Sequence, residues 1–241
     1  DWQPITELER IKIIRDLIDS LDKEHFLRKN QLYRYVNEKA LGRLFKLMKQ
    51  ENWNYEHIEE TSSKHLSDLK SDPKFRYSRN TKNFKKGELK QHLIEQAKVK
   101  SDRLLALASC FPLYDQLMQK EKRYEFDDMI LWVLKAFQSH ATLLSEYQEK
   151  YLYILVDEYQ DTNGAQDKLL QLLTEFWEDP NLFVVGDDDQ AIYEFQGAKL
   201  DNLVELNNRF EGRAGITALK DNYRSNQTIL DASFDLINHN Q

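Results

Sequence analysis

Three acids follow a short apolar run in the stretch YLYILVDEYQDTN, Tyr151 to Asn163: Asp157 and Glu158 are adjacent, and Asp161 comes three residues later. The run Tyr151 to Val156 fits a strand buried on both faces. Carboxylates at the carboxyl end of such a strand are costly to leave unpaired. One reading pairs them with a magnesium ion and a polarised water, as in sheets that hydrolyse nucleotides. The other is a strand that ends at a solvated acidic turn, and these residues alone leave both open. A second cluster, NLFVVGDDDQAIYEFQGA from Asn181 to Ala198, sets Asp187, Asp188, Asp189 and Gln190 after another apolar run, with Tyr193 and Phe195 beyond. A third, LKDNYRSNQTIL from Leu219 to Leu230, offers Tyr223 and Arg224. Arginine's planar, permanently charged fork matches phosphate oxygens.

The elements that carry these clusters read as alternating strands and helices. Gln166 to Trp177 places Leu169, Leu170, Leu173 and Phe176 on one helical face, and Asp179-Pro180-Asn181 turns the chain into a strand over Leu182 to Val185. A helix over Leu200 to Phe210, a third strand over Gly215 to Leu219 and a helix over Asn226 to Asn238 follow. Right-handed crossovers would make this a parallel sheet of about three strands with flanking helices. The first half reads as helical: Ile5 to Leu21, Asn30 to Gln50, Glu88 to Phe111 and Pro112 to about Lys122, with Pro112 as the break. Glu51 to Ser63 gives no clear pattern. In YEFDDMILWVLKAF, Tyr124 to Phe137, Asp127 suits an N-cap or an ion-pairing acid.

Composition narrows the classes. The chain has 241 residues and is 41% hydrophobic, enough for one large or two small domains. One cysteine, Cys110, excludes an intramolecular disulfide and a cysteine-cluster zinc site. No apolar run approaches a membrane span and no secretory signal opens the chain, so the expectation is a cytoplasmic protein with no membrane partner. The chain opens without methionine and closes inside a helical pattern, and so reads as an excised piece. The net charge of −7 hides an asymmetry: residues 1–150 carry 28 basic and 24 acidic side chains, and residues 151–241 carry 6 and 17. Lys64 to Arg103 holds twelve bases against five acids. There Lys74, Arg76, Arg79, Lys82, Lys85 and Lys86 interleave with Phe75, Tyr77 and Phe84. Bases neutralise phosphates and aromatic rings stack on nucleobases, so the mixture suits nucleic acid. A solvated helix and loop with inward-packed rings accounts for it too.

In their order and approximate spacing, LVDEYQDTN, VVGDDDQAIYEFQGA and LKDNYRSNQTIL resemble motifs II, III and IV of the UvrD/Rep-type superfamily 1 DNA helicases. YEFDDMILWVLKAF is similar to the segment that returns the chain to the ATPase core in that family. The resemblance implies an α/β fold: a partial P-loop-NTPase (RecA-like) parallel sheet plus an inserted, mostly α-helical subdomain. Residues 1–122 would be the inserted, DNA-contacting (1B-like) subdomain, and 123–241 the C-terminal part of the first ATPase domain (1A-like). It further implies that Asp157 holds Mg2+ through water, that Glu158 orients or deprotonates the attacking water, and that Gln190 senses the γ-phosphate of ATP. Tyr223 would stack on the adenine, Arg224 would contact the γ-phosphate, and Tyr193 and Phe195 would touch single-stranded DNA. Gln160 would play a supporting polar part. The parent would move 3′ to 5′ on single-stranded DNA and separate duplexes, in replication, repair or plasmid maintenance, together with further helicase domains of the same chain.

Two departures stand out. Gln196 occupies the position where the family carries arginine, and no window fits GxxxxGK[ST], the backbone cradle and lysine for phosphate. The chain by itself is therefore expected to be close to inactive as an ATPase. Rival readings are a subunit of a helicase–nuclease of the same superfamily, a non-catalytic DNA-binding remnant, and a two-metal nuclease built on the Asp-rich loops.

Overall fold

Thr6 opens the first helix, α1 (Glu7–Ser20). Its hydroxyl accepts the Glu9 N–H while the Glu9 carboxylate accepts the Thr6 N–H, which satisfies two end-of-helix donors reciprocally. The computed structural model describes residues 1–28, 33–80, 84–187, 206, 208–210 and 213–238. It is an α/β structure of many helices and two short parallel sheets, divided into two compact units, Asp1–Leu144 and Ser145–Gln241.

In the first unit, α1 packs with α2 (Glu38–Gln50) and α5 (Phe111–Lys120), α2 also packs with α4 (Gln91–Ala108) and α6 (Phe126–Ser139), and α3 (Tyr55–Leu69) packs with α4. Ile14, Leu17 and Ile18 of α1 meet Leu41, Phe45 and Met48 of α2, Leu107 and Ala108 of α4, and Tyr114 and Met118 of α5. These positions recur every three or four residues, so each helix turns one stripe inward. Phe45 and Tyr114 stack with ring centroids 4.8 Å apart at the centre. Pro112 sits in the first turn of α5, where its missing N–H has no helical partner to lose, and α4 stops at Ala108.

Several boundaries differ from the sequence reading. The second helix begins at Glu38 rather than Asn30. α3 occupies the patternless stretch, nucleated by Asn54, whose side chain accepts the His57 N–H, and buries only Ile58. Asp127 is not the cap of α6. The helix starts at Phe126, so Glu125 caps it in a reciprocal pair with Asp128. A two-stranded parallel ladder, β1 (Gln3–Pro4) with β2 (Arg123–Tyr124), closes the unit by joining residues that no local pattern connects. The division after Leu144 falls beyond the expected 122/123 boundary, and one reason is a buried ion cluster. Lys49, 1% exposed, places its Nζ 2.7 Å from Asp128 and 2.9 Å from Glu125, which ties α2 to the start of α6.

The second unit begins within α7 (Ala141–Lys150), whose Gln148 donates to the Leu172 carbonyl at 2.8 Å. β3 (Ile154–Val156) pairs in parallel with β4 (Leu182–Val184), residue for residue from Ile154↔Leu182 to Val156↔Val184, with α8 (Gly164–Thr174) between them in sequence. Ile154, Val156, Leu182 and Val184 pack toward Tyr159, Leu170 and Leu206. Alternate residues point the other way, and Leu155 is 74% and Phe183 63% exposed. The expectation of a strand buried on both faces is thus corrected: one face is covered. The expected third strand is corrected as well. Residues 215–219 find no ladder partner among the described residues and leave Ile216 and Leu219 exposed, so the sheet has two strands there instead of three. The closing helix, α9 (Gln227–Asn238), forms as expected. No helix among the described residues is long and apolar enough to cross a membrane.

Candidate active site

β3 delivers Asp157 and Glu158 to its carboxyl end, where both are exposed and solvent meets them. Glu158 adopts φ 50° and ψ 44°, the left-handed region that a residue with a Cβ rarely enters. Such a conformation costs on the order of 1–3 kcal/mol, and persists because its surroundings impose it. The restraints are visible. The Asp157 carboxylate accepts the Glu158 N–H at 2.9 Å, the Asp161 N–H reaches the Glu158 carbonyl at 2.9 Å, and the Tyr159 N–H reaches the Val185 carbonyl at 3.0 Å. A 3₁₀ turn over Tyr159–Asp161 follows, and Thr162 Oγ1 closes it on the Tyr159 carbonyl.

Two buried side chains anchor this turn. Gln160 donates from Nε2 to Glu158 Oε2 at 2.6 Å and accepts the Asp187 N–H on Oε1 at 3.0 Å. Tyr159 donates to Asp167 of α8 at 2.6 Å, and the other oxygen of Asp167 meets Arg209 at 2.8 Å. Beside the turn lies an open cleft of about 450 Å³, lined by Asp157, Glu158, Asp161, Thr162 and Gln166, with Leu169 and Leu173 below. Exposed carboxylates at the mouth of a cleft with an apolar floor can hold a hydrated cation and a polarised water.

Tyr223 and Arg224 do not line that cleft. They are exposed, in a turn where Asn222 accepts the N–H groups of Arg224 and Ser225 at 2.9 Å. Gln190, Tyr193, Phe195 and Lys82 lie outside the described residues, as do Asp188, Asp189 and Gln196. Among the described residues, no group of three or more His, Cys, Asp or Glu could hold a metal ion.

Between α3 and α4 in the basic segment, residues 75–77 and 87–90 pair as the two arms of a hairpin in the first unit. The Tyr77 N–H reaches the Glu88 carbonyl, the Gly87 N–H reaches the Tyr77 carbonyl, the Lys90 N–H reaches the Phe75 carbonyl, and Arg76 bridges Leu89. Gly87, at φ +87°, makes the return that a side chain would strain. Tyr77 and Phe84 stack on each other, centroids 4.3 Å apart and 9° from parallel. Arg76 donates to the carbonyls of Gly87 and Lys70, so its guanidinium holds the hairpin. Lys74, Arg79, Lys85 and Lys86 are exposed. The residues that sequence reasoning missed are Tyr159, Asp167, Arg209 and Gly186. Arg209 and Asp167 meet across 42 positions, a separation no local spacing signals.

The profile of the UvrD/REP helicase N-terminal domain matches residues 11–211. An ATP-dependent DNA helicase PcrA of Leuconostoc citreum is 40% identical over 134 residues, which is 56% of this chain and 18% of that protein. One of Staphylococcus aureus (strain Mu50) is 36% identical over 155 residues, 64% of this chain and 21% of that protein, and that of Staphylococcus epidermidis is 36% identical over 155 residues. The chain thus spans about a fifth of the length of the curated relatives it matches. Matched over residues 11–211 and carrying paired acids at a strand end, the chain belongs to the UvrD/REP helicase family.

Proposed function

We propose that this chain is part of an ATP-dependent DNA helicase, and that its second unit contributes half of a P-loop-NTPase (RecA-like) ATP site. The observation that carries the reading is Glu158, restrained in a left-handed conformation beside Asp157 at the carboxyl end of a parallel strand. Ligands of open α/β sheets bind at that end. Glu158 orients and deprotonates the attacking water. Asp157 fits magnesium because it is an exposed carboxylate with access to water, and that ion keeps several waters when bound. When bound, the metal neutralises charge on the phosphates. Gln190 senses the γ-phosphate, Arg224 offsets charge on the transferring group, and Tyr223 stacks on the base. Asp1–Leu144 includes a helical, DNA-contacting subdomain of the 1B type, whose hairpin meets duplex phosphates through Lys74, Arg79, Lys85 and Lys86, while Tyr193 and Phe195 meet the single strand. The rest of the parent supplies the phosphate loop, and movement runs 3′ to 5′.

The test uses the full-length protein. Glu158→Gln should lower ATP turnover stimulated by single-stranded DNA by about 10²–10⁴-fold, the range for loss of a general base. Duplexes with a 3′ tail should unwind, and those with a 5′ tail should not. The 241-residue chain alone, which contains no GxxxxGK[ST] window, should turn over no ATP. Replacing Lys85 and Lys86 by Ala should reduce the salt slope of DNA binding by roughly 2. Turnover that survives Glu158→Gln would remove the basis of the reading.

A further inference from the structure

The turn after β3 does more than present two acids. Gln160 is 2% exposed, although Glu158 and Asp161 on either side stand in solvent. A primary amide is a neutral side chain that donates and accepts at once. Here the surroundings fix which end does which: a carboxylate demands the NH2 group, and a backbone N–H demands the oxygen. Gln160 therefore joins Glu158 Oε2, at 2.6 Å, to the Asp187 N–H, at 3.0 Å, through one rigid plane. Gly186 permits the approach, since a Cβ there would stand 3.0 Å from Gln160 Oε1. The neighbouring residue repeats the pattern. Tyr159, fully buried, reaches Arg209 through Asp167, so consecutive side chains of one turn hold Asp187 and Arg209.

We infer that Gln160 is the positioning residue that couples the Gly186–Asp187 turn to Glu158, so that a displacement of the turn reaches the hydrolytic carboxylate through a single amide. The inference rests on the proposed role of Glu158 and adds the element that sets its geometry. It gives the segment after Asp187, where the resemblance puts the γ-phosphate sensor and the DNA-touching rings, a direct mechanical path to the reacting water. Gln160 is buried with both ends of its amide on protein partners, so its loss is expected to act on the chemical step rather than on nucleotide binding.

The experiment measures steady-state ATP turnover by the full-length protein, with and without oligothymidylate, alongside amide exchange at Asp187. Gln160→Leu removes both bonds. It should lower kcat on the order of tenfold or more, as loss of a hydrogen bond to a charged group does, with KM for ATP within about twofold. Exchange at Asp187 should rise. Gln160→Glu keeps an oxygen for the Asp187 N–H but lacks the donor toward Glu158. It should lose kcat as Gln160→Leu does while Asp187 stays protected. Gly186→Ala leaves both bonding groups of Gln160 in place but presses on its amide oxygen, 3.0 Å from the new Cβ, and should lower kcat several-fold and weaken stimulation by DNA. If Gln160→Glu turns over ATP like the wild type, Gln160 merely holds the turn and the inference falls, as it does if Gly186→Ala leaves kcat unchanged. If Glu158→Gln itself leaves turnover intact, the proposed function falls first, so the two failures are separable.

Discussion

One buried polar side chain organises each unit, and the two are opposite in kind. In the first unit it is a charge. Lys49 lies within 2.9 Å of Glu125 and Asp128, 3.9 Å from Asp115 and 5.1 Å from the Tyr114 ring centroid, with Tyr114 donating in turn to Glu125. In the second it is the neutral amide of Gln160, one bond to a carboxylate and one to a backbone N–H. Burying an ion cluster is expensive, and breaking it by removing one partner more so, because the partners stay charged and buried. An amide of modest net strength can shift its partners at small cost. The contrast sets a helical unit locked by a buried charge against a turn that the proposed reaction cycle would move.

The surroundings reinforce the difference. Burial alone would pull the Lys49 ammonium down, but Glu125 and then Asp128 outweigh it and hold the group above its ordinary 10.5. Its contribution is thus complete below pH 10.5 and is lost only as pH rises through the higher folded value. The helices around it close over a core drawn from five helices, whereas the β3–β4 sheet is covered on one face and presents Leu155 and Phe183 on the other.

The largest effect should come from Lys49→Met, which leaves two buried carboxylates facing one another. Destabilisation of about 3–5 kcal/mol is expected in urea unfolding of the chain, followed through Trp2, Trp53 and Trp132 of the first unit. Replacing Glu125 and Asp128 by Gln and Asn in the Lys49→Met background should restore part of it. Equal stability of Lys49→Met and the wild type would erase the contrast between the units. A smaller pair probes the sheet. Ile154→Ala on the covered face should cost roughly 1–3 kcal/mol, and Leu155→Thr on the open face less than about 0.5. Similar losses from both would mean that both faces are buried in solution.

Much of this was legible in the sequence, for identifiable reasons. The helices α1 and α5 and the strands β3 and β4 declare themselves because periodicity, caps and proline act over a few residues. The acids at the end of β3 are equally local, since a strand ending in Asp157-Glu158 must present them together. What escaped is long-range or shared. The α3 helix has little apolar stripe and rests on its Asn54 cap and on Ile58. The β1–β2 ladder and the Arg209–Asp167 pair join residues far apart in sequence. Gln160 could be seen as polar, but not as buried between two partners. The third strand misled because residues 215–219 have β-prone residues without a neighbour to pair with among the described residues.

Smaller effects test the entry to the first unit. Thr6→Ala removes the hydroxyl half of the α1 cap and should cost about 1 kcal/mol. The other half titrates. The Thr6 N–H and hydroxyl, then the Arg123 guanidinium, hold the Glu9 carboxyl down at about 2 against an ordinary 4.5. A carboxyl depressed on folding stabilises above its unfolded pKa, and the contribution fades as pH falls from about 4.5 through about 2. Glu9→Gln should therefore flatten the acid limb of stability against pH between those limits, and Arg123→Gln should flatten it less, because the two Thr6 bonds remain. Since Glu9 is half-exposed, salt should shrink the Arg123 share while leaving the Thr6 share in place. An acid limb unchanged in Glu9→Gln would mean that the β1–β2 ladder secures this end of the helix without the cap.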